Sequence, residues 1–244
     1  MLTEKEKLTY SWQLDVPGFG EPEQLALKKS TALVTRVGGL GGPVAMSLVA
    51  AGIGKLILAH AGEIREDDLN RQMLMSRDQL GESRVQCAKE TLKRFNPDTQ
   101  VEAFDENINI ENIDKISGDA DIIFGCAPLF EERFLLNDAS IKGNKPLIDC
   151  AMYSMEGQVI PIVPGSSPCL KCIYPDEPEH WQRKFPVIGA VSALVAQIGV
   201  IEGIKILCNF DESSAGKMIR LDASLMDIKQ IKLLPRRENC TACN

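Results

Sequence analysis

Hydrophobic and polar positions follow a strand–helix–strand pattern in the first quarter of the chain. A mainly apolar stretch, Ala32 to Val37, precedes a glycine-rich turn at 38–42, and a second apolar stretch covers 55–60. Between them, Pro43 to Ala51 has the composition of a buried helix, with proline at the start, where its missing N–H costs least. This order predicts a βαβ unit with parallel strands and a right-handed crossover.

The same alternation continues to about residue 151. A helix is predicted from Arg84 to Phe95, where Asn96-Pro97 ends it, and another from Glu131 to Ile141. Further strands are predicted at QVEAF (100–104), ADIIFGC (120–126) and KPLIDCA (145–151). Strands alternating with helices predict an α/β fold with a doubly wound, Rossmann-like, mainly parallel sheet, whose ligands bind at the carboxyl ends of the strands.

After Met155 the pattern changes to one typical of antiparallel structure. A strand is expected in GQVIPIVPG (157–165), a long buried helix from about Val187 to Leu207, and a closing hairpin in GKMIRLDA (216–223) and MDIKQIKLL (226–234). No internal repeat or low-complexity linker is present. We therefore predict a single domain over 1–244, with a nucleotide-binding half at about 30–150 and a carboxyl-terminal antiparallel extension at about 151–244.

Charge and hydropathy exclude several classes of partner. The formal net charge is −7, with 27 basic and 34 acidic residues and no basic block, which argues against nucleic acid. The uncharged stretch from Phe185 to Ile201 ends at Glu202 and is shorter than the roughly 20 apolar residues of a membrane span. The charged amino terminus lacks the apolar core of a signal peptide. We expect a cytoplasmic protein that does not bind a membrane.

Four of the eight cysteines form two Cys-x-x-Cys pairs, Cys169 with Cys172 and Cys240 with Cys243. Four thiolates are the tetrahedral set that structural zinc prefers, whereas a redox pair needs a thioredoxin-like helix start. The separation between the pairs exceeds that of an ordinary zinc ribbon, so spacing alone is only moderate evidence for zinc. The other four thiols are expected to be small buried residues: Cys87, Cys126, Cys150 and Cys208.

The glycine turn is a candidate phosphate site. Gly38, Gly39 and Gly41 stand at a strand-to-helix turn, where backbone N–H groups and the helix dipole can meet phosphate oxygens. Such turns also occur where helix and strand merely pack closely. Arg36 occupies the position of the first glycine of a G-x-G-x-x-G motif, and the second strand ends in His60 instead of the acid that holds a ribose in NAD sites. The pattern therefore disfavours an NAD-dependent oxidoreductase.

The segments that follow the turn identify a family resemblance. The GGLGG turn, DDLNRQ, the LG…RV…AKE helix start, RFNP, AMYSMEGQV and both cysteine pairs occur in this order over nearly the whole chain. Together they resemble the ThiF/MoeB/HesA family, the bacterial relatives of ubiquitin-activating enzymes. The non-acidic end of the second strand is most similar to HesA-like members.

The resemblance implies an adenylyltransferase. Such enzymes bind ATP and Mg²⁺, present a carboxylate to the α-phosphate and release pyrophosphate, and are generally homodimers. By position, Arg71 matches the arginine that clamps the phosphates, Arg84 stands where most members have lysine, and Asn70 and Gln72 flank the clamp. The ribose position falls on His60. The resemblance also favours structural Zn²⁺ on the four cysteines, pinning the carboxyl tail.

The chain also departs from the family pattern. Trp12 replaces the arginine that reaches the partner subunit's nucleotide, and Pro128 replaces the aspartate that helps hold Mg²⁺. Two hypotheses remain. Either a nearby carboxylate takes over metal binding and the site is retained but altered, or the protein is a non-catalytic ATP-binding scaffold; the candidate carboxylates are Glu63, Asp67, Glu131 and Glu132.

The acceptor stays open between two classes of carboxylate. In the family it is the carboxyl-terminal glycine of a ubiquitin-like sulfur carrier or, in HcgE-like members, a small pyridinol carboxylate precursor of the iron-guanylylpyridinol cofactor. Several relatives carry a cysteine in the loop after the first Cys-x-x-Cys pair, but residues 173–190 contain none. We therefore expect no covalent thiol intermediate.

Overall fold

The computed structural model of the chain describes residues 1–178 and 185–243. Its helices are α1 (Glu4–Thr9), α2 (Ser11–Leu14), α3 (Glu21–Lys29), α4 (Gly41–Ala51), α5 (Arg84–Phe95), α6 (Ile113–Ser117), α7 (Phe130–Gly143), α8 (Leu170–Ile173) and α9 (Gly189–Cys208). Its strands are β1 (Thr31–Thr35), β2 (Lys55–Ala59), β3 (Gln100–Phe104), β4 (Ile122–Gly125), β5 (Leu147–Tyr153), β6 (Glu156–Ile162), β7 (Lys217–Asp222) and β8 (Asp227–Lys232).

All eight strands form one sheet in the order β3-β2-β1-β4-β5-β6-β7-β8. The pairs from β3 to β5 are parallel, and those from β5 to β8 are antiparallel. The strand order reverses at β1, which lies between β2 and β4, and this is the switch point at which doubly wound sheets bind ligands. The predicted α/β fold with an antiparallel extension is confirmed.

Helices cover both faces of the sheet. On one face α4 packs against α5 and α9, and small residues allow close contact: a Cβ on Gly203 of α9 would lie 2.3 Å from the Phe124 ring of β4. On the other face α6, α7 and α8 cover Leu33, Ile57 and Ile123. The central strands β1, β2, β4 and β5 are therefore buried on both sides, as their mainly apolar sequences require, whereas β3 and β8 at the two edges are more exposed.

Helix α9 is long and apolar enough to cross a membrane, with a mean hydropathy of 1.8, but half of that stretch is buried inside the fold. It packs against α4, β5 and β6. These contacts are those of a core helix, the interpretation expected from the sequence.

Most element boundaries agree with the sequence prediction to within two residues, and β7 and β8 form the expected hairpin. Strand β1 ends at Thr35, two residues before the predicted end, because Arg36 adopts a left-handed conformation with φ +56° and turns the chain. That turn opens the space described next.

Candidate functional site

A cavity of about 160 Å³ lies at the carboxyl ends of the parallel strands, beside the switch point. It is bounded by the turn after β1, the tip of β2, the loop after β4, part of β5 and the first turn of α9. The described residues that line it are Arg36, Gly39, Leu40, His60, Arg71, Gln72, Cys126, Ala127, Pro128, Ala151, Met152, Phe185, Val187 and Ser192.

The glycine turn positions the amino terminus of α4 against this cavity. Gly41 cannot be replaced, because a Cβ would lie 2.6 Å from the Arg36 carbonyl oxygen and 2.9 Å from that of Thr35. Helix α4 therefore begins close to the strand end. The N–H groups of Gly42 and Val44 donate to the Gly38 and Leu40 carbonyl oxygens and Pro43 has no N–H, so the N–H of Gly41 is the backbone donor left at the start of the helix. Backbone donors and a helix dipole at a strand end form an anion-binding arrangement.

Arg71 and Gln72 pack directly on the glycine turn. A Cβ on Gly39 would lie 3.2 Å from the Arg71 side chain, and one on Gly38 would lie 3.5 Å from the Gln72 amide. The start of α9 packs on the same segment, since a Cβ on Gly189 would lie 2.7 Å from the Asn70 carbonyl oxygen. The glycines thus make room for the predicted clamp residues to pack on the turn.

Asn70 supports Arg71 from the solvent side. It is exposed, and its Oδ1 accepts a hydrogen bond of 2.9 Å from Nη1 of Arg71. The Asp67 carbonyl oxygen accepts a second hydrogen bond from the same nitrogen. Asn70 is not among the described residues that line the cavity. Its contact with the site is the hydrogen bond that orients Arg71.

Asp68 is the buried centre of the predicted clamp, and the sequence did not single it out. Its carboxylate accepts hydrogen bonds from Nη2 of Arg84 (2.6 Å), Nη2 of Arg71 (3.4 Å) and Nε2 of Gln72 (2.5 Å). A 3₁₀ turn over Glu66–Asp68 directs Asp68 inward and leaves Asp67 exposed. The DDLNRQ motif contains both aspartates, and no periodicity distinguishes them.

Arg84 lies behind the cavity, not in its lining. It is 6% exposed, and both Nε and Nη2 donate to Oδ2 of Asp68. Its positive charge is therefore balanced by a carboxylate. Of the two predicted catalytic arginines, only Arg71 faces the cavity in the part of the chain that the structure describes.

Gln72 presents an acceptor that no described residue satisfies. Because its Nε2 donates to the acceptor-only carboxylate of Asp68, the orientation of the amide is determined and Oε1 points away from Asp68. That Oε1 is buried without a hydrogen-bond partner, although Gln72 lines the cavity. Buried acceptors are rarely left unpaired, so the site favours a ligand with a hydroxyl or amino donor, such as a nucleoside.

Gln72→Met is accordingly expected to weaken ATP binding about 10-fold, because methionine fills similar space but accepts no comparable hydrogen bond. Titration of the variant with ATP measures this loss. Gln79→Met is the matched control, since Gln79 is partly exposed and lies outside the cavity lining. Equal affinity of the wild type and Gln72→Met would contradict the assignment of Oε1 to a nucleoside donor.

Three residues that depart from the family pattern meet in the lining. His60 directly follows β2 and is 6% exposed, Pro128 lies in the loop after β4, and Arg36 extends from the turn after β1. Nε of Arg36 donates to Oε2 of Glu132 at 2.7 Å, and its Nη2 lies 2.6 Å from the same oxygen. The ion pair joins β1 to the first turn of α7 at the cavity edge.

The carboxylates expected near a metal lie elsewhere. Glu63, Asp67 and Glu131 are exposed, and none of them lines the cavity. Glu132 is buried, with its carboxylate engaged by Arg36. Among the described residues, the lining contains two arginines and no acid.

Cys126 and Ser192 are lining residues to which sequence reasoning assigned no role in the site. Cys126 follows β4, and its backbone N–H donates to Oγ1 of Thr35 at 3.2 Å. Ser192 is buried in the first turn of α9. A hydrophobic position ending a strand, or a serine starting a buried helix, is recognised as part of a site only once the strand order is known.

The four cysteines of the two pairs come together as expected. All four Sγ atoms lie within 4.8 Å of one another, with Cys169 and Cys240 3.5 Å apart and Cys172 and Cys243 3.4 Å apart. Tetrahedral ligation with Zn–S bonds of about 2.3 Å requires S–S separations of about 3.8 Å. The arrangement is therefore compatible with a structural metal that joins α8 to the carboxyl tail.

The thiols of this cluster differ in acidity. Burial raises the pKa of Cys169 to about 11. Burial opposes ionisation at Cys240 as well, but backbone N–H groups of Ala242 and Cys243 stabilise its thiolate and lower its pKa to about 7. One thiolate therefore forms readily near neutral pH, and a divalent cation would favour the ionised form of the others.

Comparisons with known proteins agree with this architecture. The ThiF family model matches residues 10–242. The heterocyst HesA protein of Trichormus variabilis is 42% identical over 99% of this chain and 90% of its own length. The adenylyltransferase and sulfurtransferase MOCS3 of Drosophila sechellia is 32% identical, and the match covers all of this chain but only 54% of MOCS3.

Among solved structures, MccB of E. coli has the same fold. Its TM-score is 0.87 at 22% identity, covering 100% of this chain and 74% of MccB. MccB has also been crystallised with ATP, at a TM-score of 0.79 and 24% identity over 91% of this chain and 68% of that one. The chain belongs to the ThiF family.

Proposed function

We propose that this protein catalyses the ATP-dependent adenylation of a carboxylate, forming an acyl adenylate and releasing pyrophosphate. The observation that carries the proposal is the cavity at the strand switch point, where Arg71, the amino terminus of α4 and the unpaired Oε1 of Gln72 converge. Membership of the ThiF family supports ATP as the nucleotide. The names of MOCS3, an adenylyltransferase, and of MccB crystallised with ATP support the same chemistry.

The chemistry requires cationic and N–H groups that are in place before charge develops. When a carboxylate oxygen attacks the α-phosphate, negative charge accumulates on the phosphate oxygens and on the leaving pyrophosphate. Arg71 offers N–H donors toward the cavity, and Asp68 and Asn70 hold it in position. Arg84 contributes by holding Asp68 in turn, which makes it a positioning residue.

The acceptor is proposed to enter from an adjacent cavity of about 280 Å³. The two cavities share Ala151 and Met152 of β5. The outer one is largely apolar, and its polar groups include Gln158 and Tyr174, which are hydrogen-bonded to each other at 3.1 Å. A carboxyl-terminal glycine of a carrier protein, or a small flat carboxylate of the HcgE-like kind, would pass through this opening.

We propose that the reaction proceeds without a covalent thiol intermediate. The described loop residues after α8, 174–178 and 185–188, include no cysteine. Cys126 is the only thiol among the described lining residues, and it is 5% exposed. Structural zinc on the four clustered thiols belongs to the same proposal, with a role in stability and none in the reaction.

ATP–pyrophosphate exchange tests the function. Purified protein is offered, in turn, carrier proteins ending in Gly-Gly and small aromatic carboxylates, and the incorporation of labelled pyrophosphate into ATP is followed. Exchange that depends on one acceptor would support adenylation and identify the substrate class. A reductant-sensitive mass adduct on the protein would contradict the absence of a thiol intermediate.

A second candidate function is a non-catalytic ATP-binding scaffold for cofactor or metallocluster assembly. The observation that favours it is the acid-free lining together with the Arg36–Glu132 ion pair at the cavity edge. Measurable ATP binding without exchange for any acceptor would favour the scaffold over the enzyme.

A homodimer is proposed from family membership. Light scattering is expected to give twice the chain mass of 26.8 kDa. Trp12 is 90% exposed on the amino-terminal segment that bears the partner-reaching arginine in relatives, and Trp12→Ala is expected to shift the equilibrium toward monomer. A stable monomer of the wild type at micromolar concentration would contradict the dimer.

A further inference from the structure

The donor set of the cavity does not suit a divalent cation held by the protein. Mg²⁺ is bound through carboxylates together with substrate phosphates and water. The described lining residues include no carboxylate, and Pro128 lies where the fold family supplies one. Glu132, a buried acid in the first turn of α7, is already paired with Arg36.

Arg36 places a fixed cation in the same cavity. Its side chain is 11% exposed, so its charge is poorly screened by water. The residue adopts φ +56°, a left-handed conformation that costs a residue with a side chain about 1–2 kcal/mol relative to the right-handed region. Such strain persists only where the surroundings over-determine it, and it concentrates at functional sites.

Glu132 orients the guanidinium without using all of its donors. Nε and Nη2 both face Oε2 of Glu132, at 2.7 and 2.6 Å. A guanidinium carries five N–H donors, and Nη1 of Arg36 contacts no acceptor among the described residues. The outer edge of the guanidinium is therefore available for a bidentate contact with phosphate, while Glu132 holds the inner edge.

We infer that Arg36, positioned by Glu132, takes the place of the protein-held divalent cation, so that ATP binds to this protein without Mg²⁺. The inference rests on the proposed ATP site but not on catalysis. It follows from the charges in the cavity: Arg36 and Arg71 both line it and supply two cations, and no described lining residue is an acid that would repel the triphosphate.

Calorimetric titration with ATP, in EDTA and in excess Mg²⁺, tests this inference. For the wild type the two dissociation constants are expected to agree within about threefold. Arg36→Gly is expected to lose about 10- to 100-fold of the affinity measured in EDTA, the range for a charge-assisted contact. Glycine suits the left-handed conformation, so the variant should fold.

Two further variants separate a binding role from a structural one. Arg77→Ala is the matched control, because Arg77 is exposed, pairs with Glu66 and lies outside the cavity lining. Its affinity for ATP should equal that of the wild type. Glu132→Ala should also weaken binding in EDTA, and the double variant Arg36→Gly/Glu132→Ala should lose no more than Arg36→Gly alone, since both act through one guanidinium.

Several outcomes would overturn the inference. ATP binding by the wild type in Mg²⁺ but not in EDTA would show that a divalent cation is required. Tighter ATP binding by Arg36→Gly than by the wild type would show that Arg36 obstructs the cavity. Additive losses in the double variant would remove the positioning role of Glu132. Failure of the wild type to bind ATP under either condition would instead refute the proposed nucleotide site.

Discussion

Arg71→Ala is expected to lower acceptor-dependent ATP–pyrophosphate exchange by about 100- to 1000-fold. Removing one donor that is preorganised toward developing negative charge has an effect of this size in other enzymes. Arg71 is the predicted clamp residue that faces the cavity, whereas the charge of Arg84 is balanced by Asp68. The rate is measured at saturating ATP, so that the loss reports on the reaction as well as on binding.

The same substitution should leave the fold intact. Arg71 is one-quarter exposed, and the partners it leaves behind, Asn70 and Asp68, keep contact with solvent or with Arg84. Arg77→Ala, nearby in the chain, controls for the loss of an arginine from this region, and its exchange rate should equal that of the wild type. Unchanged exchange in Arg71→Ala, with circular dichroism and zinc content also unchanged, would refute the clamp assignment.

Cys172→Ser is expected to abolish zinc binding and to lower the midpoint of thermal unfolding. Loss of one of four thiolates leaves a three-ligand site, and the binding energy of a structural metal contributes directly to folding. For a chain of this size, a loss of about 3 kcal/mol in the free energy of unfolding lowers the midpoint of thermal unfolding by about 6–12 °C. Colorimetric zinc release and differential scanning calorimetry provide the two readouts.

Cys87→Ser is the matched control for that variant. Cys87 is buried near Ile64 and Met75, outside the four-thiol cluster. Its replacement should cost some stability but leave one zinc per chain. Full zinc content in Cys172→Ser would rule out the four-thiolate site. Zinc loss without a fall in the unfolding midpoint would show that the metal does not pin the carboxyl tail to α8.

The sequence predicted the strands and the longer helices α4, α5, α7 and α9, because each has a recognisable pattern of apolar positions. It did not predict the helices α1, α2, α3, α6 and α8. The five strands of the parallel part of the sheet are mainly apolar stretches, with predicted helices between several of them. The hairpin of β7 and β8 was predicted from two short strand patterns on either side of a turn. The glycine turn, Arg71 and Gln72 were predicted from motif and position. Gly39, Arg71 and Gln72 line the same cavity, whereas Gly38 and Gly41 shape the turn behind its lining.

The parts that sequence reasoning missed depend on contacts between distant segments. Arg36 and Glu132 meet because β1 and β4 are neighbours and α7 follows β4. Asp68, and not the adjacent Asp67, lies at the centre of the predicted clamp because the 3₁₀ turn over Glu66–Asp68 directs its side chain inward. Arg84 was expected at the phosphates, but its hydrogen bonds to Asp68 hold its side chain behind the cavity lining.

By itself, the sequence predicted the fold class from local periodicity and the glycine turn from a short motif. The predicted clamp and the use of the four thiols as one set came from the family resemblance that those motifs carry. Only the tertiary structure decided which arginines face the cavity, which carboxylate each one pairs with, and that Oε1 of Gln72 has no hydrogen-bond partner among the described residues. The physical reason is that the charge balance of a buried site is set by distances through space. Those distances depend on strand order and helix packing, which no single stretch of sequence contains.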